Sequence, residues 1–292
     1  MKRSKYFIAL ALILALAVAA IGCGDNGTVA PPSTSSNPGV TGTTNPPPPT
    51  TPTPEAMLKS MTTASVGMNT FESKMLVKMD MTFLGTTMKI DMNTSMTVDV
   101  PGKKFYMDLT GQTVGFGETV SMVQQMYVVN DTLYIKMNDP ESGLDPNAWY
   151  KTAVTAAEQQ EMWTSQDVGD QFQILLDAAT LQILGSETAN GVQCYKVKVT
   201  PNMDKFMAYL AASGSDIADL GITNAAQAFK QLDITFWVDK ANYLPIKMDM
   251  TMNVDAQGVV VAMTFNTSFE KVNQPVTITL PAAAQAALPL PE

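Results

Sequence analysis

The chain has 292 residues, with 18 Lys+Arg against 27 Asp+Glu, no histidine and two cysteines, for a formal net charge of −9. Without histidine there is no Ser-His-Asp or Cys-His nucleophile activation and no usual zinc site. The acidic balance makes nucleic acid and direct attraction to an anionic bilayer poor guesses, and two cysteines supply no disulfide framework.

Residues 1–22 begin with Lys2, Arg3 and Lys5, run apolar from Tyr6 to Ile21, and end in AAIGC. A basic start, a short apolar run and small residues before a cut site make a secretory signal, too short and wrongly flanked for a stable transmembrane helix. With a cysteine directly after Ala20-Ile21-Gly22, the segment resembles a bacterial lipoprotein signal, although Ala20 stands where leucine is usual. That resemblance implies a diacylglyceryl group on Cys23, which becomes the first residue of the mature chain. The protein is then lipid-anchored to a cell membrane through Cys23 and faces outside the cytoplasm, in the periplasm or at the surface. The alternative is an ordinary secreted protein in which Cys23 is incidental. Cleavage removes three of the 18 basic residues and none of the 27 acidic ones, leaving a formal −12.

Residues 23–54 join this cysteine to a stretch of Pro, Thr, Ser, Gly and Asn that includes NPPPPTTPTP. Such a segment buries too little apolar surface to fold and reads as an extended spacer, reaching at most roughly 90 Å at ~3.1 Å per residue. Residues 55–292 are long enough for one large domain. Its opening helix has Thr53 as N-cap, Pro54 at the first helical position, Glu55 in the first turn, and Met57, Met61, Ala64 and Met68 on one stripe.

Strands with period-two alternation follow: Met75 to Phe83; Met88, Ile90, Met92, Thr94, Met96, Val98 and Val100; Phe105, Met107 and Leu109; Met122, Met126 and Val128; Leu133, Ile135 and Met137. The alternation predicts consecutive antiparallel strands, each wet on one face. Between Thr152 and Thr180 the period turns helical, with Thr155 or Ser165 as caps and Phe172, Leu175, Leu176 and Ala179 on one side. A hairpin turning at Asn190-Gly191 comes next. Two helical pieces follow, one carrying Met203, Phe206, Met207 and Leu210, the other Ile222, Ala226, Phe229 and Leu232. Strands close the chain: LDITFWVD, LPIKMDMTMNV, VVVAMTFNTSF and an edge strand PVTITLP, before a loose Pro/Ala tail after Leu280.

The expected class is α+β: a large antiparallel sheet with one dry face, curved into a half-barrel, with helices covering the concave apolar side. That dry face is largely methionine, which strands do not favour over valine or isoleucine. Methionine is unbranched and polarizable, so a wall made of it repacks around guests of differing shape, as a cavity for acyl chains requires. The competing reading is a filled core between sheet and helices.

The opening helix and long amphipathic strands, WYK at Trp149 to Lys151, GVQCYKVKV, FWVDKANYLPIKMDM and the closing NQPVTITLP together resemble the LolA/LolB/LppX-like lipoprotein superfamily. The resemblance covers most of residues 55–292. It implies a half-barrel of about eleven antiparallel strands with helices closing its mouth, lipid or acyl chains inside, and a partner lipoprotein or transporter; related folds also serve as envelope sensors. The expected cavity wall is Met79, Met81, Phe83, Met88, Ile90, Met92, Met96, Met107, Met248, Met250, Met252, Met263 and Phe265, with Met203, Phe206, Met207 and Leu210 as lid. No catalysis, metal or cofactor is expected. Asp139 and Glu141 form an acid pair, but NDPESGLDPN reads as a solvated loop. Thioethers two residues apart in KMDM and MDMTM also fit Cu(I), without a histidine to assist. Cys194, in a strand, reads as a small buried hydrophobe rather than a reactive thiol.

Overall fold

In a computed structural model of the chain the described residues are 51–83, 85–138, 142–155, 158, 179–205, 228–256 and 258–291. They are mostly β. Helix α1 (Pro54–Val66) leads into strands β1 (Thr70–Phe83), β2 (Thr86–Asp99), β3 (Lys104–Gly115), β4 (Glu118–Val129), β5 (Thr132–Asn138) and β6 (Tyr150–Ala153). After these come β7 (Thr180–Ala189), β8 (Val192–Thr200), β9 (Phe229–Asp239), β10 (Pro245–Ala256), β11 (Val259–Glu270), a short helix α2 (Ala282–Gln285) and β12 (Leu288–Pro289). All twelve strands form one sheet in the order β12-β6-β5-β4-β3-β2-β1-β11-β10-β9-β8-β7. Two antiparallel meanders therefore meet at β1 and β11, and only β12 runs parallel to its neighbour β6.

Local chemistry accounts for many of the boundaries. Thr53 accepts a hydrogen bond from the Ala56 amide, with Pro54 at the first position, and Met57 and Met61 are the buried stripe of α1. Three hairpins turn on two residues that both have left-handed backbones: Phe116-Gly117, Asn130-Asp131 and Asn190-Gly191. These are the primed turns whose twist matches that of the strands, and Phe116 is the costly member, since a bulky side chain rarely adopts positive φ. Thr155 and Glu158 make the reciprocal bonds of a capping box, at 3.2 Å from the Glu158 amide and 2.7 Å from the Thr155 amide. At the ends of the helical stretch expected between Thr152 and Thr180, Thr152 and Ala153 belong to β6, Thr180 opens β7 and Ala179 packs half-buried against the core; its middle lies outside the described residues, as do Ile222, Ala226 and most of the expected lid.

Four expectations need correction. Phe229 and Leu232 belong to β9, not to a helix. Their i, i+3 spacing mimics a helical stripe because the β9–β10 register shifts between Asn253 and Val254, so that Leu232 faces Met252 and Phe229 faces Val254. The segment PVTITLP is not a strand; instead Ile278 and Leu280 pack on the outer face of the sheet. Nor is the tail loose, because Ala284 and Ala287 are buried there, and the Leu288 and Leu290 amides each donate at 2.8 Å to the carbonyls of Trp149 and Lys151. Lastly, the outer face is not wet throughout. Tyr106, Tyr127 and Tyr134 stand side by side across β3, β4 and β5, and with Trp149 they form the apolar floor under that tail.

Candidate functional site

The inner face of the sheet is the larger core. Its alternation is kept in register across four strands, so the methionines fall into rows. Met252, Met263, Met79 and Ile90 occupy one row over β10, β11, β1 and β2. Beside it run Met250, Phe265, Val77 and Met92, and on the other side Val254, Val261, Met81 and Met88. Neighbours within a row stand about 4.8 Å apart along the hydrogen-bonding direction, within reach of unbranched side chains. Met79, Met81, Met88, Ile90, Met92, Met248, Met252, Met263 and Phe265 are buried in a single cluster, against which Met96, Met107 and Met250 pack half-buried. Phe83 is half-buried at the end of β1. Met203 packs half-buried against the same cluster, while Phe206, Met207 and Leu210 lie outside the described residues, as does Cys23.

Two glycines make room for this face. A Cβ on Gly111 would stand 3.2 Å from Cγ of Met92, and one on Gly115 would stand 3.1 Å from Cγ of Met88, so both thioethers lie over bare backbone of β3. The charges keep to the other face: Lys74, Lys78, Asp80, Lys89, Asp91, Lys247 and Asp249 take the alternate positions. Several of them pair, as Lys89 with Asp80 at 3.2 Å and Lys247 with Asp249 at 2.8 Å. Exposed pairs of this kind contribute little to stability. They do keep charge off the inner face, where the buried polar residues among those described are Ser73, Thr94 and Thr267, with Ser65 on α1.

Sequence reasoning missed these three hydroxyls as a group. Each interrupts an apolar alternation, Ser73 between Phe71 and Met75, Thr94 between Met92 and Met96, and Thr267 between Phe265 and Phe269; pairing alone brings them around Met75. Reasoning on sequence also passed over the outer face. A cavity of about 470 Å³ opens there, lined by Lys74, Asn93, Asp108, Asn190, Lys247 and Asn266 among others, and floored by the strands at Met75, Thr94 and Thr267.

Titration follows the same division. Burial, and then the Asp108 charge, hold the Tyr106 phenol well above its ordinary value; burial likewise raises Tyr127. On the outer face the hydrogen bond from Trp237 Nε1 lowers the Glu187 carboxyl, with Lys196 at 3.4 Å assisting. Desolvation raises the Cys194 thiol, which makes it a poor nucleophile. Among the described residues no group of three or more Cys, Asp or Glu side chains could hold a metal ion.

The model of a family of unknown function, DUF6612, matches residues 53–288. Among solved structures, LprF from Mycobacterium bovis is similar at 15% identity and a TM-score of 0.42, over 79% of this chain and 99% of that one. The lipoprotein LppX from Mycobacterium tuberculosis is similar at 16% identity and a TM-score of 0.33, over 77% and 97%. A LolA superfamily protein from Nitrosomonas europaea is similar at 9% identity and a TM-score of 0.22, over 79% and 96%. No curated protein matches the chain.

Proposed function

The chain belongs to the family of unknown function DUF6612, and we propose that it is a non-catalytic envelope lipoprotein that binds lipid or acyl chains against its methionine face. In this reading Cys23 carries the acyl anchor, residues 24–54 are the tether, and the domain serves lipid or lipoprotein transport together with a partner lipoprotein or transporter. The observation that carries it is the contiguous face of rows headed by Met252–Met263–Met79, uncharged and built from the side chain best able to repack. A cavity of fixed shape would be better lined by branched residues; chains of variable length and kink favour methionine.

The sheet itself supports a curled shape. Twisted open sheets rarely exceed about ten strands without curling or splitting, and this one has twelve. In this reading the sheet curves into a half-barrel around the methionines, and Met203, half-buried against them, begins the lid.

The test is native mass spectrometry with organic extraction of the full chain, released from a bacterial host in mild detergent and exchanged into volatile buffer. Co-purifying lipid near one-to-one supports the reading, and its headgroup and chain length name the cargo. A second reading, a sensing or protein-interaction domain with a filled core, is favoured by the 2% exposure of Met79 and Met252 and by a cavity on the opposite face. An empty protein that also rejects added phospholipid and acyl-chain probes would establish that second reading.

A further inference from the structure

Among the described residues, the buried polar side chains of the methionine face gather in one place. Ser73, Thr94 and Thr267 are 6%, 8% and 7% exposed, and they surround a single side chain. Ser73 precedes Met75 by two residues on β1, Thr94 faces Met75 from β2, and Thr267 faces it from β11. Thr267 Oγ1 is the sharpest of the three. It is buried without a hydrogen-bond partner among the described residues. Its nearest neighbours on the face are Met75 and Met248 across the strands and Phe265 and Phe269 along its own.

A buried hydroxyl left unpaired loses its hydration without compensation, so such groups are rare and call for a reason. A trapped water is a poor one here, since a buried water needs two to four polar partners, and four apolar side chains surround Thr267. A guest lying on the methionines can bring the missing partner with it. Resting on the acyl-chain reading above, we propose that the hydroxyls around Met75 are a polar subsite for an uncharged ester or amide carbonyl within a long-chain lipid, with Thr267 Oγ1 donating to the carbonyl oxygen.

The surroundings select that class. Charged residues of β1, β2, β10 and β11 occupy the alternate positions, such as Lys74, Asp91, Asp249 and Glu270. Among the described residues of these four strands, no cation faces this side to meet a free carboxylate or phosphate, and an unpaired buried charge is far costlier than a neutral carbonyl. A plain hydrocarbon fits the methionines but leaves the hydroxyl unpaired. Sites built to pair a buried polar group discriminate against ligands lacking it.

The experiment compares three probes on the full chain after delipidation: methyl palmitate, palmitate and hexadecane, in the parent, Thr267→Val and Thr267→Ser. In the parent, methyl palmitate should bind more tightly than hexadecane and palmitate. Thr267→Val keeps the shape and removes the donor; it should weaken methyl palmitate by roughly 3- to 10-fold, the worth of one hydrogen bond, and leave hexadecane unchanged or tighter. Thr267→Ser should restore the ester preference. If all three probes bind and Thr267→Val leaves their ratios unchanged, the subsite is refuted while the acyl-chain reading stands. If no probe binds the folded parent, the acyl-chain reading fails and the subsite falls with it.

Discussion

Alanine at Met79 tests whether the methionine face is packed as its register requires. Met79 is 2% exposed and lies between Ile90 on β2 and Met263 on β11. Truncation at Cβ removes the thioether arm; buried Met→Ala changes cost ~2–5 kcal/mol, set by how far the surroundings collapse. Because Met263 and the next residue in the row, Met252, are unbranched and can move into the gap, the expected cost lies at the lower end, ~2–3 kcal/mol. Ile90→Ala, at the same exposure but losing a branched side chain, should cost ~3–4 kcal/mol. Met79→Leu conserves volume and should cost less than ~1.5 kcal/mol. Urea unfolding of the delipidated chain, compared through midpoints at constant slope, reads all three. A Met79→Ala cost below ~0.5 kcal/mol, typical of an exposed site, would refute the packed face. Leucine as costly as alanine would refute the repacking argument.

Further expectations concern the outer face and the tail. Deleting residues 282–292 uncovers Tyr127 and Trp149 and opens the β6 edge, so tryptophan emission should shift to the red and stability should fall by ~2–4 kcal/mol, from two backbone hydrogen bonds and two buried alanines. Unchanged emission would mean the tail does not cover the aromatic floor. The Glu187 carboxyl, lowered from its ordinary 4.5 chiefly by the Trp237 bond, contributes stability that is whole above pH 4.5 and is lost as pH falls through the lower folded value. Glu187→Gln should therefore flatten the melting-temperature profile below pH 4.5; a profile as steep as the parent's would remove Glu187 from the acid response. Finally, Cys194 is fully buried with a raised thiol, so at pH 8 a thiol reagent should label its peptide in urea and leave it unlabelled in the native chain. Rapid native labelling would contradict its place in the sheet.

The strands were legible because one face of each is buried, which writes period two directly into residues such as Met75 to Phe83. Turns written as Asn-Asp or Asn-Gly were legible for the same local reason, since few other residues accept left-handed backbone. What lay beyond reach depends on pairing between distant segments. The bulge opposite Asn253 makes Phe229 and Leu232 read as a helical stripe, and no local property of either residue signals it. The tail's docking depends on an aromatic floor whose members, Tyr106, Tyr127, Tyr134 and Trp149, come from four strands or loops. Each tyrosine was visible as an apolar residue on a nominally wet face, and that was the available signal. The methionines could be assigned to one face of each strand, but their rows, and the hydroxyls gathered around Met75, exist only once β1 is flanked by β2 and β11.

That arrangement also bears on why methionine stands where strands prefer branched residues. The inner face is not uniform. On β8 and β9 it is made of Val197, Val199, Ile234, Phe236 and Val238, all at 0% exposure, near β7, the strand that α1 contacts. Branched side chains there hold single rotamers and fix the packing. On β10, β11, β1 and β2 the buried positions, at 2–8% exposure, are filled instead by Met252, Met263, Met79, Met81, Met88 and Met92. A core selected for stability alone gains nothing from that change, because methionine loses more side-chain entropy on burial than isoleucine or leucine and specifies its packing less tightly. A sheet with one stiff flank and one adaptable centre keeps its fold when the centre rearranges. The glycines under Met88 and Met92 and Thr267, whose Oγ1 has no partner among the described residues, lie in that adaptable centre, so the features on which the proposed lipid site rests coincide with the most repackable part of the sheet.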